Sequence, residues 1–94
     1  MTAAVSHDRK RRRFEAKVDG LEATLDYDLD DSRTMTITHV RVPDPIAGRG
    51  IAGDLTAAAL AEARREGWRV VPQCPYADAY MRRHPQWSDL LETR

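Results

Sequence analysis

Residues 48–53 read GRGIAG, and the fold is decided by what stands on either side of them. Before them lies TMTITHVRV (34–42), a β-branched run, followed by the stop PDP (43–45). After them Ile51, Leu55, Ala59 and Ala63 recur at i, i+4 spacing, with Ala52, Thr56 and Leu60 beside them. That period belongs to a helix with one apolar stripe. The stripe consists mostly of small residues, so the helix can lie close against a sheet. Arg64 and Arg65 fall in its last turn, where cations complement the dipole, and Gly67 supplies the stop. WRVVPQ (68–73) then reads as a short strand. A helix of this length between two strands predicts a right-handed parallel crossover.

Outward from this unit the pattern is simpler. RFEAKV (13–18) and LEATLDYDL (21–29) flank Asp19-Gly20, a pair suited to a two-residue hairpin turn because both positions accept positive φ. Leu21, Ala23, Leu25, Tyr27 and Leu29 alternate with polar residues, which predicts one buried and one wet face. DDSR (30–33) makes the next turn. On the other side, YADAYMRRH (76–84) reads as a second short helix ended by Pro85, and QWSDLLE (86–92) as a last turn or two. The predicted order is β-β-β-α-β-α. This is an α+β fold with a small mixed sheet, antiparallel at its start and parallel at the crossover.

The chain has 94 residues, with 41 % hydrophobic and 32 % charged, and its two signs of charge cancel. One modest core and a single domain over 13–94 are expected, preceded by a basic tail over 1–12. Zero net charge argues against nucleic acid or an anionic membrane as the main partner. The run RKRRR (9–13) alone favours a nucleic-acid role, and it reads as a solvated tail that DYDLDD (26–31) can neutralise. A lone cysteine forms no internal disulfide, which fits a cytoplasmic setting. No apolar run is long enough to span a bilayer, and MTAAVSHDRKRRRF (1–14) has no apolar segment of a secretory signal.

A helix starting near Gly50 or Ile51 presents free backbone N–H groups, and glycines there remove the Cβ atoms that would hold an anion away. Arg49 adds a point charge. A phosphate cradle follows, although glycines could also serve only a tight turn into a packed helix. A P-loop is excluded because Asp54 and Leu55 follow Gly53 where Lys and Ser or Thr are needed. A dinucleotide fold is excluded as well. Gln73 and Cys74 occupy the place of its acidic residue, Pro43-Asp44-Pro45 separates strand from turn, and the chain is too short for a doubly wound sheet.

HVRVPDPIAGRGIAGDLTAAALAEAR (39–64) with GWRVVPQCPYADAYMRRHPQW (67–87) resembles the GNAT superfamily of acyl-CoA N-acyltransferases, and within it the small single-domain YjdJ-like branch. Gly50 and Ala52 match the last two fixed positions of that family's Q/R-x-x-G-x-G/A motif, while Ala47 stands where the family prefers Gln or Arg. Val71, Pro72, Cys74, Pro75, Tyr76, Ala79, Tyr80, Arg83, His84 and Pro85 match the second motif of the branch. The resemblance implies transfer of an acetyl group from acetyl-CoA to an amine, which could be a protein amine. It places coenzyme A along Val40 and Val42, over Gly48, Arg49, Gly50, Ile51, Ala52 and Gly53, and beside Val71, Cys74, Tyr80 and Arg83. It also implies that a backbone N–H near Val70 to Pro72 meets the thioester carbonyl.

Three side chains are candidates for the chemistry. His39 shares a face with Met35 and Ile37 by strict alternation; the resemblance puts it beside the acyl group, so it is either a general base there or a core histidine. Cys74 is a nucleophile, an acid for the leaving thiolate, or a small buried residue at a corner. The resemblance puts Tyr80 near the cofactor sulfur, where it would protonate the thiolate; otherwise it forms a packing pair with Tyr76. No metal site is expected: three histidines and one cysteine lack ligand spacing, and the run from Asp26 fails as a calcium loop at Asp31 and Ile37. Larger relatives insert helices between their first two strands. The direct Asp19-Gly20 connection therefore predicts an open acceptor side. The alternative reading is an acyl-CoA-binding module or sensor without efficient turnover.

Overall fold

The computed structural model describes residues 4–92. Its strands are β1 (Val5–Asp8), β2 (Arg13–Val18), β3 (Leu21–Leu29), β4 (Thr34–Arg41) and β5 (Arg69–Pro72). Its helices are α1 (Ile51–Glu66) and α2 (Pro75–Arg83), with short 3-10 turns at Asp44–Ile46 and Pro85–Leu90. The five strands form one sheet in chain order. The first three junctions are antiparallel and β4–β5 is parallel across α1. The mixed sheet and the crossover are as the sequence predicts, with one strand more.

That strand is β1, and it corrects the expectation of a solvated tail over 1–12, whose first three residues lie outside the described ones. Val5 faces Ala16 and His7 faces Phe14 across β1–β2. The His7 ring stacks on Phe14 at 4.0 Å, and its Nε2 lies 2.6 Å from the Tyr27 hydroxyl. Here a histidine occupies the place of a second aliphatic residue, which is why the alternation is hidden in the sequence. The basic run forms the turn, and the Arg9 guanidinium donates to Glu62 and Glu66 of α1. The connection free of helices between the first two strands is thus this turn at 9–12. Asp19-Gly20 closes the next hairpin, with φ of 52° and 76° as its turn type requires.

The core is built on one face of the sheet. Phe14, Ala16, Ala23, Leu25, Tyr27, Met35, Ile37 and Val70 form a buried cluster with Leu55, Ala59, Leu60 and Ala63 of α1 and Ala77 and Met81 of α2. Leu55 and Leu60 are fully buried. Truncating either to alanine would cost about 2–5 kcal/mol through lost transfer energy and a residual cavity. The small residues between them let α1 settle on the strands. Gly67 ends the helix in the left-handed region at φ 75°, and its N–H bonds back to the last turn. The opposite face of the sheet carries polar rows, among them Lys17 facing Glu22 and Arg13 facing Asp26.

The β3–β4 register shifts between Asp26 and Tyr27: Tyr27 faces Ile37, while Asp26 faces His39. Thr38 is therefore an extra residue, a β-bulge, and its hydroxyl donates to the Asp26 carbonyl at 3.3 Å. The bulge reverses the alternation beyond it. Val40 now pairs with buried Leu25 and packs on the core, and His39 joins the polar face. This corrects the placement of His39 beside Met35 and Ile37. Strict period-two counting cannot register an inserted residue.

Candidate active site

The parallel pairing of β4 and β5 stops at Ile37 opposite Pro72. Pro72 has no N–H to extend it, and the last link is the Cys74 N–H donating to the Ile37 carbonyl at 2.9 Å. Beyond that point β4 runs on to Arg41 paired with β3 alone, so its other edge opens. The bulge at Thr38 lies where this opening begins.

At the far end of the opening is the glycine loop. Gly48 and Gly50 both adopt φ of 81°, left-handed backbone that a residue with a Cβ adopts only at a cost. A Cβ at either would meet nothing within 4 Å, so conformation and open space, not packing, account for these glycines. The first backbone N–H of α1 to find an acceptor is that of Asp54, on the Gly50 carbonyl at 3.0 Å. Among the described residues, the N–H groups of Ile51, Ala52 and Gly53 have none. Ile51 and Ala52 border a cavity of about 340 Å³, lined also by Val42, Ala47, Gly48, Gly50 and Tyr76. Free amides and the positive end of a 16-residue helix suit an anion such as a pyrophosphate.

A second cavity, about 550 Å³, occupies the polar face of the sheet. Glu22, Thr24, Asp26, His39, Arg41 and Asp44 are among its lining residues, as is Val42. Val42, just after β4, thus borders both the apolar cradle and the polar cleft. Within the cleft the Arg13 guanidinium donates to Asp26 at 2.8 Å. That carboxylate also holds the Arg13 guanidinium charged to higher pH than usual.

The predicted residues are distributed unevenly over this frame. Gly48, Gly50, Ile51, Ala52 and Val42 line the cradle, and Val40 packs against the core. Gly53 lies in the first turn of α1, where an added Cβ would be 3.4 Å from the Tyr76 hydroxyl and 3.6 Å from the Tyr80 ring. His39 lines the polar cleft, whereas Cys74 is 8 % exposed within the core cluster at the N-cap of α2. The structure therefore does not bring His39 and Cys74 together. Tyr80 is stacked on His84 at 4.0 Å, and the His84 Nδ1–H donates to the Tyr80 carbonyl at 2.8 Å. Val71 faces Thr36 on the polar side of the sheet, and Arg83 is exposed near Tyr76. Arg49 points to the hairpin tip, donating to Asp19 at 2.7 Å.

Tyr76 and Asp19 are among the residues of this region that the sequence does not mark as site candidates. Tyr76 lines the cradle, but its i, i+4 spacing with Tyr80 reads as packing, and the rings are indeed 6.2 Å apart. Asp19 reads only as a turn residue, and nothing local signals its long-range partner. Among the described residues no group of three or more His, Cys, Asp or Glu side chains could hold a metal ion. No helix there is long and apolar enough to cross a membrane.

Known proteins share both the sequence and the fold. Residues 13–90 match the family of GCN5-related N-acetyl-transferases. Protein NATD1 of Xenopus tropicalis is 36 % identical over 83 residues, which cover 86 % of this chain and 76 % of that protein. Protein NATD1 of Gallus gallus is 37 % identical over the same shares, and that of Homo sapiens 36 % with 74 % of its length covered. A solution structure of a GCN5-like protein from Staphylococcus aureus superposes with a TM-score of 0.75 at 20 % identity, covering 99 % of this chain and 91 % of that one. That likeness concerns the fold, while the match over 13–90 and the NATD1 identities concern descent. The chain belongs to the GCN5-related N-acetyltransferase family.

Proposed function

We propose that this domain transfers the acetyl group of acetyl-CoA to an amine acceptor, with the donor on the helix side of β4 and the acceptor on its polar side. The observation that carries this is that Val42 separates two unlike cavities, one bordered by free amides and the other lined by charged side chains. The residues present fit the donor. Gly48 and Gly50 let the loop curl without obstructing the cavity, and the N–H groups of Ile51, Ala52 and Gly53 would hold its pyrophosphate. When bound, acetyl-CoA supplies the activated acetyl thioester.

The chain's own task is to position the partners and handle two protons. An amine must lose one, and the departing thiolate gains one. His39, in the polar cleft, is assigned the first role, and Tyr80 the second. Cys74 is assigned to packing, because a thiol inside the core is poorly placed to receive an acyl group. The acceptor side has no helical cover at the first connection, which suits a bulky acceptor such as a protein amine.

A thermal-shift comparison of acetyl-CoA, NAD and ATP tests the donor. A rise with acetyl-CoA above the other two supports the reading, and no rise overturns it. Thiol release followed with a panel of amines and candidate proteins then tests turnover. Saturable binding without acceptor-dependent release would replace the enzyme with an acyl-CoA-binding module.

A further inference from the structure

We infer that the Tyr76 hydroxyl donates a hydrogen bond to the cofactor's pyrophosphate, beside the backbone amides of the cradle. The inference rests on the acetyl-CoA reading and names a binding residue for it. Around the cavity stand Val42, Ala47, Gly48, Gly50, Ile51, Ala52 and Tyr76. Six of these seven have apolar side chains or none, so Tyr76 alone among the lining residues brings a polar side-chain atom.

Its position is fixed from two sides. The hydroxyl lies 3.4 Å from where a Cβ of Gly53 would be, which puts it beside the first turn of α1. Below, Tyr76 leans on Tyr80 with ring centroids 6.2 Å apart, and Tyr80 is stacked on His84. The Tyr76 hydroxyl has no hydrogen-bond partner among the described residues. Tyr27 differs here, since its hydroxyl is engaged by His7 at 2.6 Å. Burial pushes the Tyr76 phenol above its ordinary range, with Tyr80 and Asp54 acting in the same direction against Arg83. It therefore stays protonated at neutral pH and can donate. Arg49, within the glycine loop, is held by Asp19 and does not line the cavity.

Tyr76→Phe removes one oxygen and keeps the ring that packs on Tyr80. The test is calorimetric binding of two probes to the full chain, coenzyme A and pantetheine, the second lacking the pyrophosphate. A hydrogen bond to a charged group predicts about tenfold weaker coenzyme A binding for Tyr76→Phe. Pantetheine should bind variant and wild type alike. Equal coenzyme A affinity in the two proteins overturns the inference, as does an equal loss for both probes, which would mark a packing role. Wild type that binds no coenzyme A defeats the donor reading itself and is recognised before any variant is made.

Discussion

Arg49 Nη1 lies 2.7 Å from Asp19 Oδ2, joining the glycine loop to the tip of the β2–β3 hairpin. Both side chains are at least half exposed, so the pair stabilises the fold by no more than about 1 kcal/mol. Arg49 is therefore held away from the cradle weakly enough to change partner. Asp19→Asn removes the counter-charge while keeping a residue that tolerates the positive φ of this turn. Its melting temperature should stay near that of wild type. Coenzyme A should bind about two- to fivefold more tightly, up to the strength of the released pair. Arg49→Ala should weaken binding. An unchanged affinity in both variants would remove Arg49 from the proposed phosphate site.

Two glycines of GRGIAG, Gly50 and Gly53, should respond oppositely to alanine. Gly50 has φ of 81°, so Gly50→Ala forces a Cβ into left-handed backbone at roughly 1–2 kcal/mol. Gly53 is already helical, and its new Cβ would make only ordinary contacts with Tyr76 and Tyr80. Gly53→Ala should be stabilising by up to about 1 kcal/mol. Urea denaturation of the two variants reads this sign difference directly. If Gly53→Ala is more stable and yet binds coenzyme A less tightly, that glycine serves the ligand and not the fold.

The regular parts of the fold were legible because local chemistry agrees with tertiary context there. The Asp19-Gly20 turn, the stripe from Ile51 to Ala63 and the Gly67 cap each appear where spacing predicts them. β1 was not legible, because His7 packs as an aromatic against Phe14 and Tyr27 in a strand of only four residues. The site was half legible. Glycines report backbone needs that sequence spacing can express, so the cradle could be found. The face on which His39 stands depends on Thr38 being left out of the ladder, a property of pairing that no single strand displays.

His7 makes the N-terminal strand sensitive to pH. Its pKa is lowered, chiefly by burial and then by Arg9 and Arg65, with Asp8 and Glu66 opposing. The Glu62 carboxylate is 3.8 Å from His7 Nδ1, but it is already held by Arg9 and Arg65, so the local field remains cationic. With the folded pKa below the ordinary 6.5, the unfolded chain binds the proton more readily in that interval. Stability contributed by neutral His7 is therefore present above pH 6.5 and lost as pH falls through the folded pKa. Urea denaturation across this range should show wild type losing more stability than His7→Gln. Parallel pH curves for the two proteins would refute the assignment.

Cys74 separates direct transfer from transfer through an acyl-enzyme. It caps α2 with extended backbone, its N–H closes the β4–β5 ladder on Ile37, and its side chain is 8 % exposed. Serine suits this position, because an N-cap hydroxyl accepts from a free N–H of the first turn, so Cys74→Ser should remain within about 1 kcal/mol of wild type. Intact-mass spectra after incubation with acetyl-CoA should show no added acetyl group on either protein. Acceptor-dependent thiol release should be the same within about twofold, a difference of under ~0.5 kcal/mol in the barrier. An acetyl adduct on wild type that is absent from Cys74→Ser, together with lost release, would establish the cysteine as nucleophile. The core around the thiol would then have to open during each turnover.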